Sequence, residues 1–237
     1  MNDDVSVKRV KRPNLPRSEA MYHGLRRAII ERALKPGDKL PEDVIGERFG
    51  VSRTIVRSVL GRLNSEGLVD LIPNRGAAVA QPTLEEAYDI FEVRRSLERD
   101  VVRRLVSKIT KTDVEQLKAH VAREEAVKAS NTAESIRLAG EFHILLAEMA
   151  GNAVTARYIN ELVSRCSLIL ALYGRPHSSD CAVNEHLEIV AALQKGDSEK
   201  ALETMDHHLE AVTERALLSA PVTQHDIRAI LDEYAKP

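Results

Sequence analysis

The chain has 237 residues, 43% hydrophobic and 30% charged, a make-up ordinary for a globular protein and long enough to bury two cores. It lacks an apolar run that could span a bilayer or serve as a signal core, which excludes a membrane partner and leads us to expect a cytoplasmic protein; two cysteines, Cys166 and Cys181, exclude a zinc ribbon or disulfide framework, and 3% aromatic residues exclude a single-strand stacking platform. The formal charge of −2 hides an asymmetry, with 15 Lys/Arg against 10 Asp/Glu up to Gln81 and 19 against 26 from Pro82 onward, so the N-terminal part is the end suited to a polyanion.

Residues 1–17, with Lys8, Arg9, Lys11 and Arg12 among prolines, read as a flexible basic arm. A first helix is expected from Ser18 to Leu34, burying Ala20, Leu25, Ile29 and Ile30, and stopped by Lys35-Pro36-Gly37-Asp38. Between Leu40 and Leu60 the pattern is that of two short helices around a glycine turn. Val44, Ile45 and Phe49 form the inward face of the first, Gly50 permits the turn, and Ser52 is placed to cap the second. Val56, Val59, Leu60 and Leu63 then face the core, leaving Arg53, Thr54 and Arg57 near the start of a recognition helix, where side chains reach base edges and phosphates. Glu66 to Ile72 enters a strand, Pro73-Asn74-Arg75-Gly76 turns, and Ala77 to Ala80 returns, which is a wing tipped by Arg75 and Gly76. Residues 18–81 therefore read as a winged helix-turn-helix that binds double-stranded DNA through Ser52, Arg53, Thr54, Arg57, Arg75 and Gly76; the alternative is a small helical domain with merely solvated arginines.

Residues 82–83 are a linker, and from Leu84 onward the apolar spacing is helical throughout. Helices are expected near 84–107, 111–130, 132–150, 152–174, 178–195 and 198–219, with Thr112 and Asp113 capping the second and Gly196-Asp197 turning between the last two. The fold class is thus mainly α, an N-terminal winged helix-turn-helix followed by a C-terminal antiparallel all-helical bundle over residues 84–220, with a tail or short helix in residues 221–237. Three histidines of the bundle point inward. His186 and His208 lie at matched heights, each roughly 15 Å from the Gly196 turn at 1.5 Å rise per residue, and His143 shares a face with Ala139, Leu146 and Ala150. Without evident acidic partners, His143, His186 and His208 suggest a divalent metal, zinc first with nickel or iron as alternatives; the competing reading is core histidines satisfied by hydrogen bonds. His207 points elsewhere, and His23, His120, His177 and His225 read as surface residues.

Taken together, Val51-Ser52-Arg53-Thr54 with Val56-Arg57, the wing at Gly67-Leu68-Val69 and Arg75-Gly76, Glu92-Val93-Arg94 with Leu97-Glu98, Phe142-His143, Gly151-Asn152, Glu185-His186 and Gly196-Asp197 before His208-Leu209 resemble the GntR superfamily of bacterial transcription regulators, in its FadR-type branch with an all-helical FCD effector domain. The resemblance implies a homodimer on a palindromic operator, repression relieved by a small metabolite, and an effector site at Arg94, His143, His186 and His208, with Arg94 facing an anionic ligand. It also exposes departures. Many metal-binding relatives carry an Asp four residues before the first ligand histidine, where this chain has Ala139, so the metal has one protein ligand fewer; Glu141 is off that face, while Glu98 is a conceivable substitute. Asp43 stands where some relatives have a phosphate-contacting Arg. Two rival functions remain at this level, a metalloenzyme using the three histidines and a ligand-independent DNA-binding protein.

Overall fold

A computed structural model describes residues 16–128, 132–173 and 180–216 of the chain. The basic arm up to residue 15, the short helix near 223–235, His177 and His225 lie outside the described residues. Helices α1 (Arg17–Ile30), α2 (Glu42–Phe49) and α3 (Arg53–Ser65) are followed by strands β1 (Val69–Ile72) and β2 (Gly76–Val79), and then by α4 (Leu84–Val106), α5 (Lys111–Val127), α6 (Thr132–Met149), α7 (Ala153–Tyr173), α8 (Asp180–Lys195) and α9 (Ser198–Ala216). No helix among the described residues is long and apolar enough to cross a membrane.

In α1 the inward face is Met21, Tyr22, Leu25, Ala28 and Ile29, a stripe at helical spacing. Ala20 lies off that stripe and is exposed, contrary to the sequence expectation. The helix also ends earlier than Leu34, because Arg32 adopts a left-handed φ of 61° and no longer continues the ladder. Gly50, at φ 63°, makes the turn between α2 and α3 as its lack of a side chain allows. Ser52 occupies the N-cap position of α3, but its side chain makes no cap hydrogen bond, a second correction. The wing is an antiparallel pair in which Val69 faces Val79 and Ile72 faces Gly76, with Asn74 at φ 60° in the turn.

The winged helix packs around Leu25, Ile45, Leu60, Leu63 and Val79, and Leu168 of α7 enters the same cluster. Arg26 of α1 donates to Asn160 and Ser164 of α7, and Arg137 of α6 donates to Glu31. In the helical part α5 contacts α6 and α8 while α4 contacts α7 and α9, enclosing a core that includes Leu105, Leu117, Phe142, Leu193 and Met205. The N-cap of α5 is Thr110 rather than Thr112. Its side chain accepts from the Asp113 backbone N–H while Asp113 accepts from the Thr110 backbone N–H, a reciprocal box that satisfies two otherwise orphaned donors.

Candidate metal centre and nucleic-acid interface

Three helices bring the inward histidines together. His143 of α6, His186 of α8 and His208 of α9 are all buried, and one ring nitrogen from each lies within 4.8 Å of the others. His143 Nε2 and His208 Nε2 are 3.2 Å apart. Phe142 stacks on the His186 ring at 4.0 Å between centroids and fixes its plane.

The far side of each ring is held by a carboxylate, a partner not evident in the sequence. His143 Nδ1 meets Glu98 Oε2 at 2.5 Å, His186 Nδ1 meets Glu124 Oε2 at 2.9 Å, and His208 Nδ1 meets Glu185 Oε2 at 2.6 Å. An ionised carboxylate only accepts, so each Nδ1 donates, and in a neutral ring the Nε2 then carries a lone pair. Burial drives the His143 imidazole down to about 4 and His208 to about 3, against the pull of the facing glutamates, and both rings are therefore neutral near pH 7. Burial alone would raise the Glu98 carboxyl, but His143 and Arg94 overcome it and hold it at about 2.

The three Nε2 atoms thus converge in a buried site. Among the described residues His186 Nε2 has no hydrogen-bond partner, and two facing Nε2 atoms cannot satisfy each other without a proton. A divalent cation resolves this arrangement. Two nitrogens bound to zinc at ~2.0–2.1 Å in a tetrahedron lie about 3.4 Å apart, close to the separation between His143 and His208. Carboxylates behind imidazole ligands are the usual means of fixing their tautomer and orientation. The residues therefore fit a metal.

Glu98 does not substitute for the missing Asp, because its two oxygens are taken by His143 Nδ1 and Arg94 Nε. Glu141 is engaged by Arg137. Ala139 lines a cavity of ≈ 120 Å³ with His143 and His208, and Arg94 and Arg32 border the same space. Arg94, the expected anion partner, is 4% exposed and already neutralised by Glu98 at 2.7 Å. His207 is exposed as expected, whereas His120 is buried, with its Nε2 2.9 Å from the Leu138 carbonyl, because it lies on the inward face of α5 with Leu117 and Val121. The sequence marks Glu98 and Glu124 as misplaced charges, though not which histidine each meets. Each sits where the apolar helical spacing of α4 or α5 calls for a core residue, and a charge there needs a buried partner.

At the other end of the molecule, Arg53 and Thr54 are exposed in the first turn of α3, and Arg75 and Gly76 are exposed at the wing tip. Arg57 projects from the same helix, but its guanidinium is held by Glu42 of α2 at 2.8 Å. Asp43 is exposed at the start of α2, adding negative charge beside this face.

Comparisons with known proteins bear on both ends. Residues 17–79 match the family described as bacterial regulatory proteins, gntR family, and residues 89–211 match the FCD domain. The chain is 28% identical over 204 residues to the HTH-type transcriptional repressor RspR of Escherichia coli K12, spanning 85% of this chain and 90% of that one. It is also 28% identical over 207 residues to the Uxu operon regulator of Haemophilus influenzae, spanning 79% and 77% respectively. Among solved structures, E. coli McbR/YncC superposes with a TM-score of 0.75 at 19% identity, covering 83% of this chain and 95% of that one, a likeness of fold.

Proposed function

This chain belongs to the gntR family of bacterial regulatory proteins and carries an FCD domain, and from that premise we propose a metal-dependent, metabolite-responsive repressor. It is a transcription regulator rather than an enzyme. In this reading Ser52 at the N-cap of the recognition helix, Arg53, Thr54 and Arg57 within it, and Arg75 and Gly76 of the wing contact a palindromic operator, bound by a homodimer. The exposed apolar side chains Val93 of α4 and Val154 and Tyr158 of α7, each about half exposed, supply the surface for the second copy. His143, His186 and His208 hold one divalent ion, zinc first and nickel or iron as alternatives, and a small anionic metabolite in the adjoining cavity releases the operator.

The observation that carries this reading is the convergence of three carboxylate-oriented Nε2 lone pairs beside a cavity. When bound, the ion supplies a Lewis-acid position for an oxygen of the ligand. The chain's own part is to keep the imidazoles neutral and aimed, and to leave a methyl group at Ala139 where a fourth ligand would otherwise stand. Arg94 sets the local potential through its pair with Glu98.

Elemental analysis of purified protein tests the centre, with one equivalent of metal expected in the wild type and in His207→Ala, and a sharp loss in His208→Ala. Full occupancy in His208→Ala would overturn the ligand assignment. Operator selection from random duplex DNA, followed by footprinting, tests the dimer. Two half-sites with dyad symmetry are the expected result, and a footprint without symmetry rejects it.

A further inference from the structure

Just beyond α1 the backbone turns through a left-handed residue, and that residue is an arginine. Arg32 holds φ 61°, a conformation that any side chain makes unfavourable and that glycine or asparagine would fill more easily. Its side chain nonetheless runs into the cavity lined by Ala139, His143 and His208, although Arg32 belongs to the winged-helix end of the chain. Its Nε is buried with no hydrogen-bond partner among the described residues. Burial pulls its pKa down, with no counter-charge among the described residues opposing it, whereas the inward Arg94 is neutralised by Glu98. A left-handed backbone position that carries a half-buried arginine into a pocket, with its buried Nε unpartnered among the described residues, points to an anion arriving there to meet it.

We propose that Arg32 is the anion receiver of the effector pocket, and that a small monocarboxylate with a short apolar chain ties the pocket to the DNA-binding helices through it. This rests on the metal-centred reading above. The cavity of ≈ 120 Å³ is bordered by Ala139, Val163, Leu170 and Val212 as well as by its charged groups. A void of about 150 Å³ accommodates benzene, so the occupant has roughly six heavy atoms, the size of butyrate. One carboxylate oxygen meets the metal position and the other meets the Arg32 guanidinium.

The consequence for DNA follows from where Arg32 is attached. It lies two residues past the end of α1, whose Tyr22 donates to Glu66 and whose Glu19 accepts from Arg62, both at the end of the recognition helix α3. A ligand held by Arg32 is a contact made in one orientation of α1 and lost in another. Such a differential contact is what allows a ligand to shift a conformational equilibrium.

The test uses full-length protein loaded with cobalt, whose d–d absorption reports its ligands, and butyrate as the probe. Wild type should bind cobalt, show a spectral change with butyrate, and bind a selected operator more weakly when butyrate is present. Arg32→Gly relieves the backbone strain and removes the charge. It should weaken butyrate binding in calorimetry about 10–100-fold and bring the ratio of operator affinities with and without butyrate towards one. Arg32→Asn, which also tolerates the left-handed region, should behave alike, and Arg32→Lys should recover part of the affinity. Absence of a cobalt spectrum in the wild type rejects the metal reading itself. A cobalt spectrum that butyrate leaves unaltered rejects the ligand class. Equal butyrate affinity in wild type and Arg32→Gly, or loss of cobalt in either neutral variant, overturns the role of Arg32.

Discussion

Ala139 and the histidines behind it decide what the centre can hold. Ala139 borders the same cavity as His143, one helical turn away, so Ala139→Asp brings a carboxylate within reach of the shared ion. Metal affinity should rise roughly 10-fold or more while butyrate binding falls, since the new charge occupies the open position and repels an anion. Competition with a chromogenic chelator reads the first effect and calorimetry the second; no change in either would mean that the pocket is not organised around these histidines. The same imidazoles make the metal-stripped protein acid-sensitive. His143 and His208 titrate near 6.5 when unfolded but at about 4 and about 3 when folded, so the unfolded state binds more protons between those values. Their contribution to stability is complete above the unfolded value and is lost as pH falls towards the folded ones, and Glu98, held at about 2, adds a loss of the same sign at lower pH. Thermal melts should show a lower Tm at pH 5 than at pH 7, and equal melting points would contradict buried neutral rings. At this scale the three histidines were legible because each fell on an apolar helical face. Their glutamates were not, because the pairings Glu98–His143, Glu124–His186 and Glu185–His208 join separate helices, and sequence spacing says nothing of which helices become neighbours.

Among the elements, the recognition helix is restrained by its neighbour. Arg57 is 71% exposed at its side chain yet bound by Glu42 of α2, so meeting a phosphate or base requires giving up that partner. An exposed pair of this kind is worth ~0–1 kcal/mol, so its replacement by DNA is easy, but the carboxylate still opposes the approach of a polyanion. Glu42→Gln should raise affinity for random duplex DNA several-fold at low salt, and Arg57→Ala should lower operator affinity by ~1–3 kcal/mol. Fluorescence anisotropy across a salt series checks both, and an unchanged random-DNA affinity in Glu42→Gln removes Glu42 from the binding face. Helix extents were readable from periodicity and turn residues to within a few positions. The errors at α1 and α5 came from side chains that act differently from their usual parts, an arginine in a left-handed turn and Thr110 in place of Thr112 at the cap.

Across the whole molecule, the winged helix and the helical bundle do not meet as two finished surfaces. Leu168 is fully buried and belongs by position to α7 but by contact to the winged-helix core. Leu168→Ala should cost ~2–5 kcal/mol and loosen the two parts from one another. Calorimetry should show the wild type unfolding in a single transition and the variant in two, with the winged helix melting first; a single unchanged transition in the variant would show that the parts are not joined there. No hydrophobic pattern in α7 distinguished this residue from Ile169 beside it, because a helix that is apolar on most sides gives no hint of how many partners surround it. Ile159 and Val163 pack in the bundle core, Cys166 and Ile169 in a third cluster with α4, and Leu168 in the winged-helix core. A helix wedged on three sides has lost its freedom to spin. A slip of one residue turns it by about 100° and would empty all three nests at once, so α7 can travel only as a stiff beam, by small tilts or sliding along its own length. Whatever message passes between the two ends of this protein through α7 is therefore carried by displacement of the rod and not by its rotation.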